Sequence, residues 1–234
     1  MTDYKFSPIG FVHSCYKEKF GIPRQPALVK IPATIEIEQA YSDDDAFREL
    51  ERFSHIWVIF IFHGITNKWK SMVRPPRLGG NKRVGVFASR SMYRPNPIGL
   101  SAVKLESIER KDNKAILNII GGDFLDLTPV LDIKPYIPYA DAIESARGGY
   151  ASSQPETKLQ VSFSEKALNE IASAGDHYPK LESVIEQVLQ LDPRPAYQGN
   201  KSIKNEFAIK LYDYDVKWQV SDEAITVTEL KKIK

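Results

Sequence analysis

VGVFASRSMYRPNPIGLSAVKLESIERKDNKAILNIIGG, residues 84–122, alternates runs of branched and aromatic residues with turn chemistry, a rhythm that suits β-structure. VGVFAS reads as a strand feeding the proline-rich turn SRSMYRPNPIGLS, and SAVKLESIE and KAILNIIGG read as two further strands joined by RKDN. Working outward, SHIWVIFIFHG is the most hydrophobic strand and is expected to be central. In ATIEIEQA, Ile35 and Ile37 alternate inward with Glu36 and Glu38 outward, and KFSPIGFVHS has strand composition with a Pro-Gly interruption. VLDIKPYIPY is a short extended segment ended by Pro135 and Pro138. Ser42 before Asp43, Asp44 and Asp45 predicts a capped short helix running to about Glu51. No βαβ rhythm and no Gly-x-Gly-x-x-Gly fingerprint is present. The expectation is a mainly β chain with a barrel-like N-terminal domain over residues 1–145.

DAIESARGGYASSQPE, rich in small and polar residues, marks a boundary. Beyond it, residues 155–234 predict a small α+β domain. LQVSF is a strand, Ser164 caps a helix over SEKALNEIAS, YPKLESVIEQVLQL is an amphipathic helix, and three strands follow. Between the first two strands, CYKEKFGIPRQPALVKIP carries Gly21, Pro23, Pro26 and Pro32, which leaves an ordered loop or a lid.

A chain of 234 residues with 42% hydrophobic and 26% charged residues is long enough for a true core and has ordinary globular composition. Lone Cys15 forms no internal disulfide, and four histidines with one cysteine disfavour a zinc cluster, so a reducing, cytoplasmic setting is expected. No apolar run has the length of a membrane span. The net charge of +2 hides an asymmetry: residues 52–105 hold ten Lys or Arg and no acid, leaving 22 basic against 30 acidic residues elsewhere. Such a patch points to a polyanion, nucleic acid first, unless acids distant in sequence neutralise it. Lys68, Lys70, Arg74, Arg77, Lys82 and Arg83 fill its long Pro- and Gly-rich loop, the natural nucleic-acid contact.

In the turn 89–99, Pro95 and Pro97 fix φ and push Arg94 and Asn96 toward extended backbone. A stiff turn presents Arg90, Ser91, Arg94 and Asn96 with little ordering cost, to a carboxylate or phosphate, or to surface acids in the plainer alternative. Asp123, Asp126, Thr128, Asp132 and Lys134 form a second cluster, able to hold hydroxyl or amino groups or simply to balance the arginines. His63 closes the central strand as a proton acceptor or a satisfied structural imidazole. Arg194 and Tyr197 lie in a second stiff turn, DPRPAY.

FSHIWVIFIFH, FASRSMYRPNPIGLS, DLTPVLDIKPYIPYAD and DPRPAY, in that order, resemble the TsaA-like, TrmO-type tRNA methyltransferase family. The resemblance implies a β-barrel methyltransferase acting as a homodimer. Its expected reaction takes a methyl group from S-adenosylmethionine to N6 of threonylcarbamoyladenosine at position 37 of the tRNA anticodon loop. It implies His63, Arg94 and Asn96 as catalytic, and Phe62, His63, Arg90, Ser91, Asp126, Thr128, Asp132, Lys134, Arg194 and Tyr197 as cofactor-binding, with Pro97 and Gly99 completing the turn. Ser89, Met92 and Leu127 depart from the family's usual Thr, Pro and Gly. A methyltransferase on another RNA or small molecule, or a noncatalytic RNA-binding regulator, is the alternative.

Overall fold

The computed structural model describes residues 3–65, 69–154, 159–194, 205–221 and 224–233. The chain divides into two compact units, one of Met1–Ser14 with Arg24–Ser152, the other of Cys15–Pro23 with Ser153–Lys234.

The first unit holds strands β1 (Gly10–His13), β2 (Pro32–Ile37), β3 (His55–Ile61), β4 (Met72–Val73), β5 (Val84–Gly85), β6 (Ile98–Lys111), β7 (Lys114–Ile120) and β8 (Thr128–Pro135). Six of them close a barrel in the order β1-β2-β7-β6-β3-β8, every neighbouring pair antiparallel, and β8 returns to β1. Closure leaves no barrel edge unpaired. Strict alternation fills it: on β3, Ile56, Val58 and Phe60 point inward, and on β7, Ala115, Leu117 and Ile119 do. Phe124 caps this core edge-on to Phe60, with ring centres 5.0 Å apart. Gly99 is required by the same packing, because a Cβ there would fall 2.2 Å from Cζ of Phe60. The β6–β7 hairpin turns through Asp112 and Asn113 at φ of 52° and 62°, the left-handed pair that a two-residue hairpin demands.

The helix expected after Ser42 does not form. Two 3-10 turns replace it, Asp44–Phe47 and Leu50–Arg52, and a third, Gln39–Tyr41, precedes Ser42. Asp43 is the cap, its carboxylate accepting from the Asp45 amide at 2.9 Å, whereas buried Ser42 turns inward and accepts from the Ala115 amide at 3.0 Å. Glu49 at φ of 70° breaks any continuation. The expected strand VGVFAS is likewise cut to two residues, because Val86–Ala88 coils into a 3-10 turn. After β8 comes the short helix α1 (Pro138–Asp141), whose Asp141 accepts from the Ile137 amide at 2.7 Å and from Trp57 Nε1 at 3.0 Å.

In the second unit, β9 (Gln160–Phe163), α2 (Glu165–Ala174), α3 (Leu181–Gln190), β10 (Glu206–Leu211), β11 (Tyr214–Ser221) and β12 (Ala224–Lys232) form a sheet of order β10-β11-β12-β9 with two helices. Ser164 caps α2, accepting from the Ala167 amide at 3.1 Å. Segment Cys15–Pro23 belongs to this unit by its bonds: Tyr16 bridges Leu211, Cys15 O accepts from the Tyr212 amide at 2.8 Å, and Gly21 lies flush on Ile209, where a Cβ would meet Cδ1 at 1.9 Å.

Candidate functional site

Antiparallel order brings to one end of the barrel the C-terminal ends of β1, β3 and β7 and the N-terminal ends of β2, β6 and β8. Parts of three connections therefore meet there: residues 14 and 24–31 between β1 and β2, 62–64 and 89–97 between β3 and β6, and 121–127 between β7 and β8. The 89–97 turn is anchored to β3 by the Phe62 amide, which donates to Pro97 O at 2.8 Å. Two tight bonds crimp it, Arg94 N to Met92 O and Ile98 N to Asn96 O, each 2.8 Å. Arg94 braces the turn from within: its Nη1 donates to Ser89 O at 2.7 Å and Val86 O at 3.2 Å, and its guanidinium lies 5.6 Å from the Phe87 ring centre. Ser91 Oγ accepts from the Tyr93 amide at 3.3 Å. These acceptors are uncharged carbonyl oxygens, so neither bond pairs the guanidinium with a carboxylate. Asn96 is exposed at the tip.

The basic loop is knitted to this turn. Strands β4 and β5 pair, Ser71 O accepts from the Val86 amide at 2.9 Å, and the Lys70 amide donates to Tyr93 O at 3.1 Å while its ammonium sits 4.6 Å over the Tyr93 ring. Lys70, Arg74, Arg77, Lys82 and Arg83 are exposed along it; Lys68 lies outside the described residues.

Exposed Arg90 donates through Nη1 to Gln25 Oε1 at 2.6 Å, again an uncharged partner. Behind it stands Asp123, partly buried, its Oδ1 accepting from the Ser101 hydroxyl inside the barrel at 2.6 Å. Burial pushes the Asp123 carboxyl above its ordinary range, opposed by the Ser101 bond, a backbone bond and the Arg90 charge. Asp126 accepts from the Ser14 amide at 2.9 Å, tying β8 to β1. Leu127 takes φ of 58° and is 54% exposed, a left-handed position that explains why glycine suits it. Thr128 is buried, its hydroxyl donating to Leu125 O at 2.6 Å, a bond that holds the turn.

Phe62, His63, Arg90, Ser91, Arg94, Asn96, Asp126 and Thr128 thus share one end of the barrel, with Phe62 edge-on to Phe60 and His63 exposed. Asp132 and Lys134 do not join them. They sit higher on the outer wall of β8, in register with Ile59 and Trp57, and pair with each other at 2.8 Å. Arg194, in the second unit, is forked onto Asp192 at 2.7 and 2.8 Å, which raises its pKa further; Tyr197 lies outside the described residues. Sequence reading left Gln25 unassigned and placed Asp123 only in a run of carboxylates. The prolines flanking Gln25 and the Gly-Gly pair before Asp123 were the available signals, since the Ala27 amide bonds Gly121 O at 2.8 Å and so ties the two loops.

The model of the tRNA-methyltransferase O N-terminal domain matches residues 11–142, and that of the TrmO C-terminal domain matches residues 156–233. The chain belongs to the tRNA-methyltransferase O family. It is 42% identical over 233 residues, 99% of both chains, to the tRNA (adenine(37)-N6)-methyltransferase of Escherichia coli. It is 43% identical over 146 residues, 62% of this chain and 74% of the other, to a Pyrococcus abyssi protein described as a probable S-adenosyl-L-methionine-binding protein. The crystal structure of TrmO from Pseudomonas aeruginosa superposes with a TM-score of 0.82 at 36% identity, over 98% of this chain and 99% of that one.

Proposed function

We propose that this protein transfers a methyl group from S-adenosylmethionine to N6 of threonylcarbamoyladenosine at position 37 of tRNA, acting in the cytoplasm as a homodimer. The observation that carries the reading is the joining of a basic hairpin to a braced, proline-stiffened turn at the barrel end. A polyanion held by the first is aligned with whatever the second presents.

The donor set fits S-adenosylmethionine: Arg90 suits its carboxylate, Asp126 its amino or ribose groups, and the Phe62 ring an apolar or cationic face. Bound there, the donor supplies a methyl already activated on sulfonium, so its C–S bond breaks to a neutral thioether as the new C–N bond forms, with no leaving-group protonation. The protein's tasks are alignment, exclusion of water and removal of one proton from N6. Arg94 holds the turn in shape, Asn96 offers an amide to the base, and exposed His63 or solvent takes the proton. Asp132 and Lys134, on the outer wall of β8, reach a donor site only across a subunit contact on that wall, which the homodimer reading supplies. The outer-wall row Leu100, Ile59 and Asp132, with Leu100 51% exposed, supports a subunit contact on that wall.

Labelled methyl transfer to tRNA with and without the threonylcarbamoyl group tests the proposal. Incorporation only into the modified tRNA is expected; equal labelling of both, or none, overturns the assigned substrate.

A further inference from the structure

Two large aromatic side chains stand in water on the basic hairpin. Phe87 is 75% exposed and Trp69 is 53% exposed. Rings of this kind bury about 150–250 Å² each when covered, so a pair of them left bare in one place calls for an occupant. The backbone puts them on facing arms. Met72 pairs with Gly85 and Val73 with Val84, and the next rung out is the Ser71–Val86 bond, so Trp69 and Phe87 flank the open end of the hairpin.

Their surroundings are cationic rather than apolar. The Arg94 guanidinium lies over Phe87, Lys70 follows Trp69 directly and lies over Tyr93, and Arg74, Lys82 and Arg83 are exposed on the same loop. No acid occurs in residues 52–105. Bare rings set among cations, with no carboxylate in the segment, complement flat bases on a polyanionic backbone. Paired bases hide their faces in the duplex stack, so the occupant is unpaired.

We infer that Trp69 and Phe87 are a base-stacking pair that grips unpaired bases of the RNA substrate and holds them against the 89–97 turn. The inference rests on the RNA-substrate reading above and adds the residues that read its loop. Phe87 lies in the 3-10 turn whose Val86 carbonyl is bound by Arg94, so a base stacked on Phe87 is kept in register with the braced turn.

The test uses the full-length protein and its W69A, W69F, W69L, F87A and F87L variants with a threonylcarbamoyl-modified anticodon stem-loop. Both positions are exposed, and thermal unfolding verifies that each variant is folded. W69A and F87A are expected to raise KM for the RNA about five- to 100-fold while leaving kcat and donor affinity nearly constant. W69F retains most of the affinity, whereas W69L and F87L resemble the alanine variants. RNA is expected to quench tryptophan emission in the wild type and not in W69F. Unchanged KM in W69A and F87A, recovery by the leucine variants, or a change in oligomeric state at constant KM would each overturn the stacking role. Failure of the wild type to methylate any tRNA defeats the substrate reading alone, because quenching by a single-stranded RNA still reports on the rings.

Discussion

Arg94 is a brace before it is a ligand. It donates to two carbonyls of its own turn, and its alanine variant leaves Ser89 O and Val86 O without that donor. A displacement of about 1 Å at reacting groups costs about 100-fold in rate, so R94A is expected to lower kcat/KM for methyl transfer by about that factor. R94K, a point cation on a flexible stem, recovers only part of it in the same steady-state assay. Asp123 makes a different demand. Its folded-state pKa is raised above 3.8, so in the window above 3.8 the folded protein holds a proton that the unfolded chain has released, and stability falls as pH rises through that window. D123N keeps an oxygen for Ser101 and lacks the ionisation. Chemical denaturation should find D123N the more stable protein at neutral pH, with the difference gone below pH 3.8, where Asp123 is protonated in the folded and unfolded chains alike. A constant difference across that range would remove desolvation as the cause.

At the scale of elements, local signals prevailed where nothing longer-ranged competed. Ser164 caps α2 as its position announces, and the RKDN turn is the hairpin its residues prefer. Ser42 carries an equally plain capping signal, yet its hydroxyl is drawn into the barrel wall to satisfy the Ala115 amide, a contact across 73 positions. In the second unit, Glu229 on β12 binds Lys166 of α2 and, at 2.6 Å, Lys217 of β11. The two ammonium groups lower its pKa from 4.5 to about 2. The contribution of this exposed pair of bonds is thus complete above pH 4.5 and lost as pH falls toward 2. Thermal unfolding of E229Q is expected to fall slightly below wild type at pH 7 and low salt and to coincide with it at pH 2; equal melting at pH 7 would show that water screens both bonds.

Over the whole molecule, charge and topology act together. The acid-free stretch spans strand, loop and turn in sequence, and the fold gathers its loop and turn at the end of the barrel where β3 stops and β6 begins. R74E, R77E and R83E combined are expected to weaken tRNA binding and to reduce its salt slope by about three, one for each phosphate contact removed. Calorimetry with the methyl donor alone should be nearly unchanged, because the Arg90–Gln25 bond joins the 89–97 turn to the β1–β2 connection and involves none of the three arginines. Parallel losses of donor and tRNA binding would mean that hairpin and turn form one inseparable site.

Alternation, turn chemistry and charge counting were enough to draw a β-barrel, a small α+β unit, a stiff RPNP turn and a basic loop, because each depends on residues close together in the chain. Tertiary structure alone decided the partners. That Cys15–Pro23 belongs to the C-terminal unit, that Gln25 meets Arg90, that Asp123 backs onto Ser101, and that Asp132 turns to the outer wall with Lys134 all follow from barrel closure and strand register. Those contacts join residues tens of positions apart, or depend on which face of a strand looks inward, and no local pattern encodes either before the sheet has closed.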